Sequence, residues 1–247
     1  MSEQFLRSEM LWGQEAQHYL ETCHVAVFGL GGVGSYAAEV LIRSGVGELT
    51  LVDSDTVAVT NLNRQLEALH STLGQPKTEA VSARARDIHP QIRLHPIQAL
   101  YDADHRDLFF PVGCKYDYIV DAIDLVSCKL DLIETALNRG IPIFSALGTG
   151  NKLDPTRLEI TDLAKTYGCP LARVMRRELR KRGIEHLDVV FSPEEPVCAA
   201  QLEAPPPGRR SVPASSPWVP ATAGLLLGSQ VVRNLISKRK RSVTSLC

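Results

Sequence analysis

Val25-Ala26-Val27-Phe28-Gly29-Leu30-Gly31-Gly32-Val33-Gly34 is the stretch that decides the fold. An apolar run that ends in Gly-x-Gly-x-x-Gly and opens a helical pattern marks a nucleotide-binding βαβ unit. Gly29 permits the tight turn, Gly31 lets the backbone approach a phosphate, and Gly34 lets the helix pack on its strand. Gly32 belongs to the same phosphate-facing loop. Amides at the helix start point at the anion, and the helix dipole favours negative charge there.

Outward from this loop, strands and helices alternate. The reading places a helix over 9–22, with Leu11, Trp12, Ala16, Tyr19 and Leu20 on one side. The first strand is 25–28, followed by a helix over 35–44 and a strand over 48–52. A helix over 78–88 and a strand over 93–97 come next, then a strand at 118–121, a helix at 127–139 and a strand at 141–145. This alternation predicts an α/β, Rossmann-like, doubly wound and mostly parallel sheet with helices on both faces. Residues 1–150 form the nucleotide-binding core and 151–247 a smaller C-terminal extension, within one domain. The extension contains a basic helix at 171–182 and a strand at 187–191. Its segment 203–217 holds five prolines and reads as mobile. The Lys238–Arg241 tail reads as frayed.

Composition narrows the setting. The 247 residues are 44% hydrophobic, enough for a full core, and the formal charge of −1 gives no overall drive toward nucleic acid. Any basic surface is therefore local. Six cysteines, at 23, 114, 128, 169, 198 and 247, form no Cys-x-x-Cys pair, which excludes a zinc ribbon or a thioredoxin motif. They fit reduced thiols in a cytoplasmic protein. Residues 1–9 are polar and charged, unlike a signal peptide. The apolar 221–236 stretch is short and carries Gln230, Arg233 and Asn234, so it reads as a buried helix rather than a membrane span.

The chemistry lies after the glycine loop. Asp53 follows Gly34 by 19 residues, where a ribose-binding acid belongs, and Asp55 is close behind. Asn61-Leu62-Asn63-Arg64-Gln65 and Gln75-Pro76-Lys77 come next. A dehydrogenase has no use for an arginine and a lysine here. Breaking the bond at an α-phosphate builds charge that fixed cations and a metal must stabilise. Arg64 offers planar bidentate phosphate binding, and Lys77 a compact point charge. Asp121-Ala122-Ile123-Asp124 supplies carboxylates at a strand's carboxyl end. Asp124 suits Mg²⁺, a hard ion that favours carboxylate and phosphate oxygens, or caps the following helix. Asp121 reads alternatively as a structural acceptor.

These elements, in this order, resemble the ubiquitin-activating-enzyme superfamily of ThiF/MoeB-like adenylating enzymes over roughly the first 150 residues. The resemblance implies ATP and Mg²⁺, with Asp53 on the ribose, Arg64 and Lys77 on the triphosphate, and Asp124 on the metal. It also implies that an N-terminal arginine, here Arg7, reaches the phosphates of a partner subunit. The zinc-binding cysteine pairs common among sulfur-carrier activators are missing. Ala146–Arg157, Asp162–Thr166, Cys169–Ala172 and the basic helix instead resemble the tRNA threonylcarbamoyladenosine dehydratases. That likeness implies a dimer that uses ATP to activate and cyclise the threonylcarbamoyl group of a tRNA adenosine. A sulfur-relay protein is a further candidate partner.

Arg173, Arg176, Arg177 and Arg180 follow i, i+3, i+4, i+7 and share one helix face, while Leu171, Val174, Met175 and Leu179 form a face that can bury. The basic face is either a solvated surface or a contact for the tRNA backbone. Cys198, beside the proline-rich stretch, is the best-placed cysteine for a covalent role, although a buried, inert thiol is commoner. Three other readings compete. One is adenylation of the C-terminal carboxylate of a sulfur-carrier or ubiquitin-like protein. The second is an NAD-dependent oxidoreductase, and the third a non-catalytic nucleotide sensor. The oxidoreductase leaves Arg64, Lys77 and Asp124 without a shared task, and the near-complete set of phosphate-handling residues argues against a non-catalytic sensor.

Overall fold

The computed structural model describes residues 3–202 and 212–244, with the side chains of 240–244 left aside. The first strand is flanked at its start by two helices, α1 (Leu6–Trp12) and α2 (Gln14–Thr22). Then come β1 (His24–Phe28), α3 (Gly34–Arg43), β2 (Glu48–Val52), α4 (Lys77–Ile88), β3 (Arg93–Ile97), α5 (Arg106–Phe109) and β4 (Tyr118–Asp121). The chain continues through α6 (Val126–Asn138), β5 (Ile143–Ala146), β6 (Glu159–Asp162), α7 (Pro170–Arg180), β7 (Asp188–Phe191) and α8 (Trp218–Thr244).

Seven strands form one sheet in the order β3-β2-β1-β4-β5-β7-β6, parallel throughout except for β6 against β7. From β1 the chain winds to β2 and β3 on one side, then returns to β4 on the other. The carboxyl ends of β1 and β4 therefore flank a topological switch point, where open α/β sheets bind ligands. Strand alternation feeds two cores. Val25 and Val27 join α3, α4 and α8 on one face, and Ala26 and Phe28 join α6 and α7 on the other. The sheet runs unbroken past residue 150, since β7 pairs with β5 and β6 continues it.

Several sequence expectations are corrected. The opening helix breaks at Gly13, which sits at φ 90°, and Leu11 is exposed rather than packed. Strand β6 carries no sequence signal, because its residues are half-buried or exposed at the sheet edge and form no apolar run. The tail does not fray at 238–239. Helix α8 continues through it, and Arg239 pairs with Glu15 on α2. Helix α8 also lies close against α3. A Cβ on Gly228 would come within 2.7 Å of the Val40 Cβ, and Gly224 is similarly confined by Val33 and Tyr36. Part of the predicted mobile stretch, 203–211, lies outside the described residues. Residues 212–217 are held by hydrogen bonds. Among the described residues no helix is long and apolar enough to cross a membrane.

At the end of β4 a charge pair is fully enclosed. Lys129 Nζ donates to Asp121 Oδ2 at 2.7 Å, and Ser145 Oγ donates to the same oxygen at 2.7 Å. The two charged side chains are 1% and 0% exposed. Removing one partner leaves the other charge buried and unmatched. Lys129→Met is expected to lower stability in urea unfolding by about 3–5 kcal/mol, and adding Asp121→Asn to recover part of the loss.

Candidate active site

The glycine loop is built by steric necessity. Gly29 adopts φ 86°, and a Cβ there would lie 2.7 Å from the Ala122 carbonyl oxygen. A Cβ on Gly34 would overlap the Gly29 carbonyl. Both positions therefore require glycine, and the turn sits directly against the end of β4. Gly29 N donates to Val52 O at 2.8 Å and Ala122 N to Phe28 O at 2.8 Å, so the turn is stitched to β2 while β1 is stitched to the chain leaving β4. A Cβ on Gly31 would meet Gln65 at an ordinary 3.6 Å, whereas one on Gly32 would crowd Arg64 and Pro220 at 3.2 Å.

Asp53 closes β2 beside this loop. Its Oδ2 accepts from Leu30 N at 2.6 Å and its Oδ1 from Asp55 N at 2.8 Å. Burial pushes its carboxyl above the usual range, against the pull of Lys77 and the two amides. Lys77 opens α4 and is 4% exposed. Its Nζ lies 2.8 Å from Asp55 Oδ2 and 3.9 Å from Asp53 Oδ1. A buried ammonium at a helix N-terminus concentrates positive potential at one point of the crevice.

Arg64 is half-buried, its Nη1 donating to Thr60 O and to Asn63 Oδ1, each at 2.9 Å. Asn61 shapes that turn. Its Oδ1 accepts from Ala58 N at 3.0 Å, and its carbonyl accepts from Arg64 N and Gln65 N. Its side-chain oxygen is thus engaged with its own loop. Asp124 is exposed in the loop after β4, on the other flank of the glycine turn. The cap position of α6 falls on Leu125, without a side-chain cap bond. Asp121 is the structural acceptor described above, which leaves Asp124 as the carboxylate of this pair that faces solvent.

The chain also supplies a strap that spacing did not reveal. Asn63 Nδ2 donates to Ser215 O at 3.0 Å, Ala214 N to Asn151 Oδ1 at 2.7 Å, and Trp218 Nε1 to Leu153 O at 2.7 Å. Residues 212–218 therefore run from the Arg64 turn to the loop after β5. Val197 N donates to Asn151 O at 2.9 Å, which brings exposed Cys198 to that loop, whereas Cys23, Cys128 and Cys169 are buried.

Two predicted groups lie elsewhere. Arg7 is exposed on α1. Neighbouring Phe5 packs on His89 and Gly45, beyond the far ends of α4 and α3. Arg7 thus stands a helix length, about 15 Å, from its own glycine loop. The four arginines of α7 do not form one face. Arg173, Arg177 and Arg180 are exposed, but Arg176 turns inward and donates to Thr166 O at 2.6 Å and to Thr166 Oγ1. Met175 and Leu179 are buried as expected, with Leu171 and Val174 only half-buried.

In the sequence pattern, Glu67 carries no mark of belonging to this crevice. It is 3% exposed, and neither carboxyl oxygen meets a hydrogen-bond partner among the described residues. Burial pushes its carboxyl up to about 7, with Lys77 and Ser35 opposing the shift and Asp53 adding to it. Leu66-Glu67-Ala68 carries no periodic signal that marks the acid as buried.

Fold and crevice define a Rossmann-type α/β protein whose cations and carboxylates gather around a glycine loop. The chain belongs to the ThiF family, whose profile matches residues 5–244. It is 42% identical over 245 residues to a tRNA threonylcarbamoyladenosine dehydratase of Bacillus subtilis (strain 168), covering 96% of each chain. It is 35% identical to the enzyme of that name from Escherichia coli (strain K12), covering 97% of this chain and 96% of that one. The crystal structure of the E. coli enzyme, TcdA, in complex with ATP superimposes with a TM-score of 0.86 at 35% identity, over 97% of this chain and 96% of that one.

The Glu67 environment gives a pH test. From pH about 4.5 to 7 the folded chain retains a proton that the unfolded chain has released, so stability falls as pH rises through that window. Glu67→Gln is expected to flatten this slope and to raise stability at pH 8 by at most about 3 kcal/mol, read by urea unfolding at pH 5 and pH 8.

Proposed function

We propose that this chain uses ATP to dehydrate threonylcarbamoyladenosine in tRNA, closing its threonylcarbamoyl group into a ring through a carboxyl-adenylate. The observation that carries the reading is Lys77, a buried ammonium held at the helix N-terminus beside the glycine loop. The resemblance of the chain to the dehydratases along nearly its whole length supports the choice of substrate.

A carboxylate is a poor electrophile because its leaving group would be oxide. Attack of a carboxylate oxygen on the α-phosphorus of ATP forms an acyl–phosphate bond and releases pyrophosphate. An internal nitrogen or oxygen then attacks the acyl carbon, and AMP leaves with the former carboxylate oxygen. The substrate ends lighter by one water. The protein's task is positioning and charge neutralisation. In this reading Asp53 holds the ribose, with the Gly29–Gly34 loop, Asp55 and Asn61 around the nucleotide. Lys77 and Arg64 take the phosphates. One solvent-facing carboxylate beside a triphosphate suits Mg²⁺, which keeps several waters and takes few protein ligands. Asp124 would hold it, and the ion would offset phosphate charge. Asp121 is already committed to Lys129.

The remaining parts of the reading concern assembly. Arg7 lies too far from its own crevice to touch the phosphates bound there, which supports a homodimer in which it serves the partner's site. The exposed Arg173, Arg177 and Arg180 face contacts the tRNA backbone. Residues 151–247 serve substrate and dimer, in a cytoplasmic setting where a sulfur-relay protein assists.

The test is AMP release by purified protein with ATP, Mg²⁺ and tRNA, with or without threonylcarbamoyladenosine. AMP is expected only with the modified tRNA, together with a nucleoside lighter by one water. Lys77→Ala should lower turnover by about 10²–10³-fold, the usual cost of losing one transition-state donor. No turnover with either tRNA would move the assignment to a carrier protein with a C-terminal carboxylate. Changing Arg173, Arg177 and Arg180 together to glutamate should weaken tRNA binding and flatten its salt dependence, measured by filter binding across salt. Unchanged affinity at low salt would remove α7 from the tRNA surface.

A further inference from the structure

At the amino ends of the strands, the pole opposite the glycine loop, three side chains converge from three neighbouring strands. His24 begins β1, Glu48 begins β2 directly opposite it, and His95 lies in β3 opposite Thr50. All three lie on one face of the sheet, because residues 48 and 50, and 93 and 95, point the same way. The two oxygens of Glu48 have different neighbours. Oε2 accepts from Arg93 Nη2 at 2.7 Å and Nε at 3.1 Å. Oε1 faces the histidines, 2.7 Å from His95 Nε2 and 3.6 Å from His24 Nδ1. One ligand atom from each of the three residues lies within 4.8 Å of the others.

The surroundings prepare these groups as ligands. His24 Nε2 is 2.9 Å from Thr50 Oγ1. With Nε2–H donating to that hydroxyl, the Nδ1 lone pair turns toward Glu48, the arrangement by which an outer partner fixes the tautomer of a metal-bound histidine. The Tyr116 ring packs edge-on against the His24 ring, with centroids 4.8 Å apart, and holds its orientation. Burial pushes the His24 imidazole toward its neutral, ligating form, with Glu48 and Asp117 opposing that shift and His95 and Arg93 adding to it. Two imidazoles and a carboxylate with one open position are a donor set of zinc enzymes. Four ligands at about 2.0–2.1 Å in a tetrahedron stand about 3.3 Å apart. The 3.6 Å spacing is already near that value. Opening the 2.7 Å spacing needs only a rotation of His95, whose side chain is half exposed on an outer strand.

We propose that His24 Nδ1, Glu48 Oε1 and His95 Nε2 bind one divalent transition-metal ion of the zinc class, with a fourth position open to water. The ion would tie the amino ends of β1, β2 and β3 together. It would take the place of the His95–Glu48 hydrogen bond, and Arg93 remains on the outer oxygen.

Zinc(II) titrated into the purified full-length protein against a chromophoric chelator, under reducing conditions, tests this. One zinc per chain is expected, raising the melting temperature. His95→Ala and Glu48→Gln should each weaken zinc binding about tenfold or more, and melting in EDTA checks that both variants fold. Cobalt(II) should give the visible absorption of a four-coordinate nitrogen–oxygen site, lost in the same variants. No zinc bound, or zinc bound equally by wild type and both variants, would overturn the proposal. Neither ATP nor tRNA takes part, so the outcome is independent of the proposed function.

Discussion

Beneath the crevice the Lys129 ammonium meets the Asp121 carboxylate with almost no water near either. Desolvating two charges costs several kcal/mol per ion before their attraction offsets it, so such a pair stands only where its geometry is closely defined. Ser145 and the Ile123 amide complete the coordination of Asp121 and tie β4, β5 and the chain entering α6 into one unit. The turn at Ala122 that follows is the surface against which Gly29 packs. The glycine loop thus inherits its position from a buried charge pair, and the nucleotide crevice lies on top of both.

This arrangement separates two carboxylates only three residues apart. Asp121 is consumed by structure and Asp124 is left at the solvent. A similar division holds at β2, where both Asp53 oxygens accept backbone amides, from Leu30 and Asp55, while the exposed Asp55 pairs with the buried Lys77. In both places the acid side chain nearer the strand is buried and fixes backbone, and the one after it is exposed. A buried strand end forces its acid to find internal partners, whereas a residue two or three positions on has reached water.

The sheet and the glycine loop were legible because steric demands recur in fixed order. Gly29, Gly34, Asp53, Arg64 and Lys77 announce themselves by type and spacing. Lys129 carries a readable sign, since it stands in the stripe of Leu132, Ile133 and Ala136, where a charged residue requires a buried partner. Glu67 had no such sign. Its burial comes from a loop folding under α3 and beside α4, a tertiary event with no period. Helical spacing places four arginines together, and only the neighbouring loop, through Thr166, decides that Arg176 turns inward. The strap at 212–218 escaped for the same reason. Its anchors, Asn63 and Asn151, are separated from it by long stretches of sequence.

With a formal charge of −1, the chain has no global attraction for polyanions, so the proposed handling of ATP and tRNA rests on local fields. Lys77 supplies one in a desolvated pocket, where low dielectric strengthens its effect and salt screens it weakly. The exposed arginines of α7 act in water, where screening is strong, and Glu178 already pairs with Arg177 and Lys181 beside them. The two kinds of field suit different tasks. A buried charge is fixed in place and can stabilise a developing phosphate charge without reorganising. A screened surface charge attracts a long backbone weakly at many points and releases it readily. The fold keeps them apart by placing the first at the carboxyl ends of the strands and the second on the outer face of a covering helix.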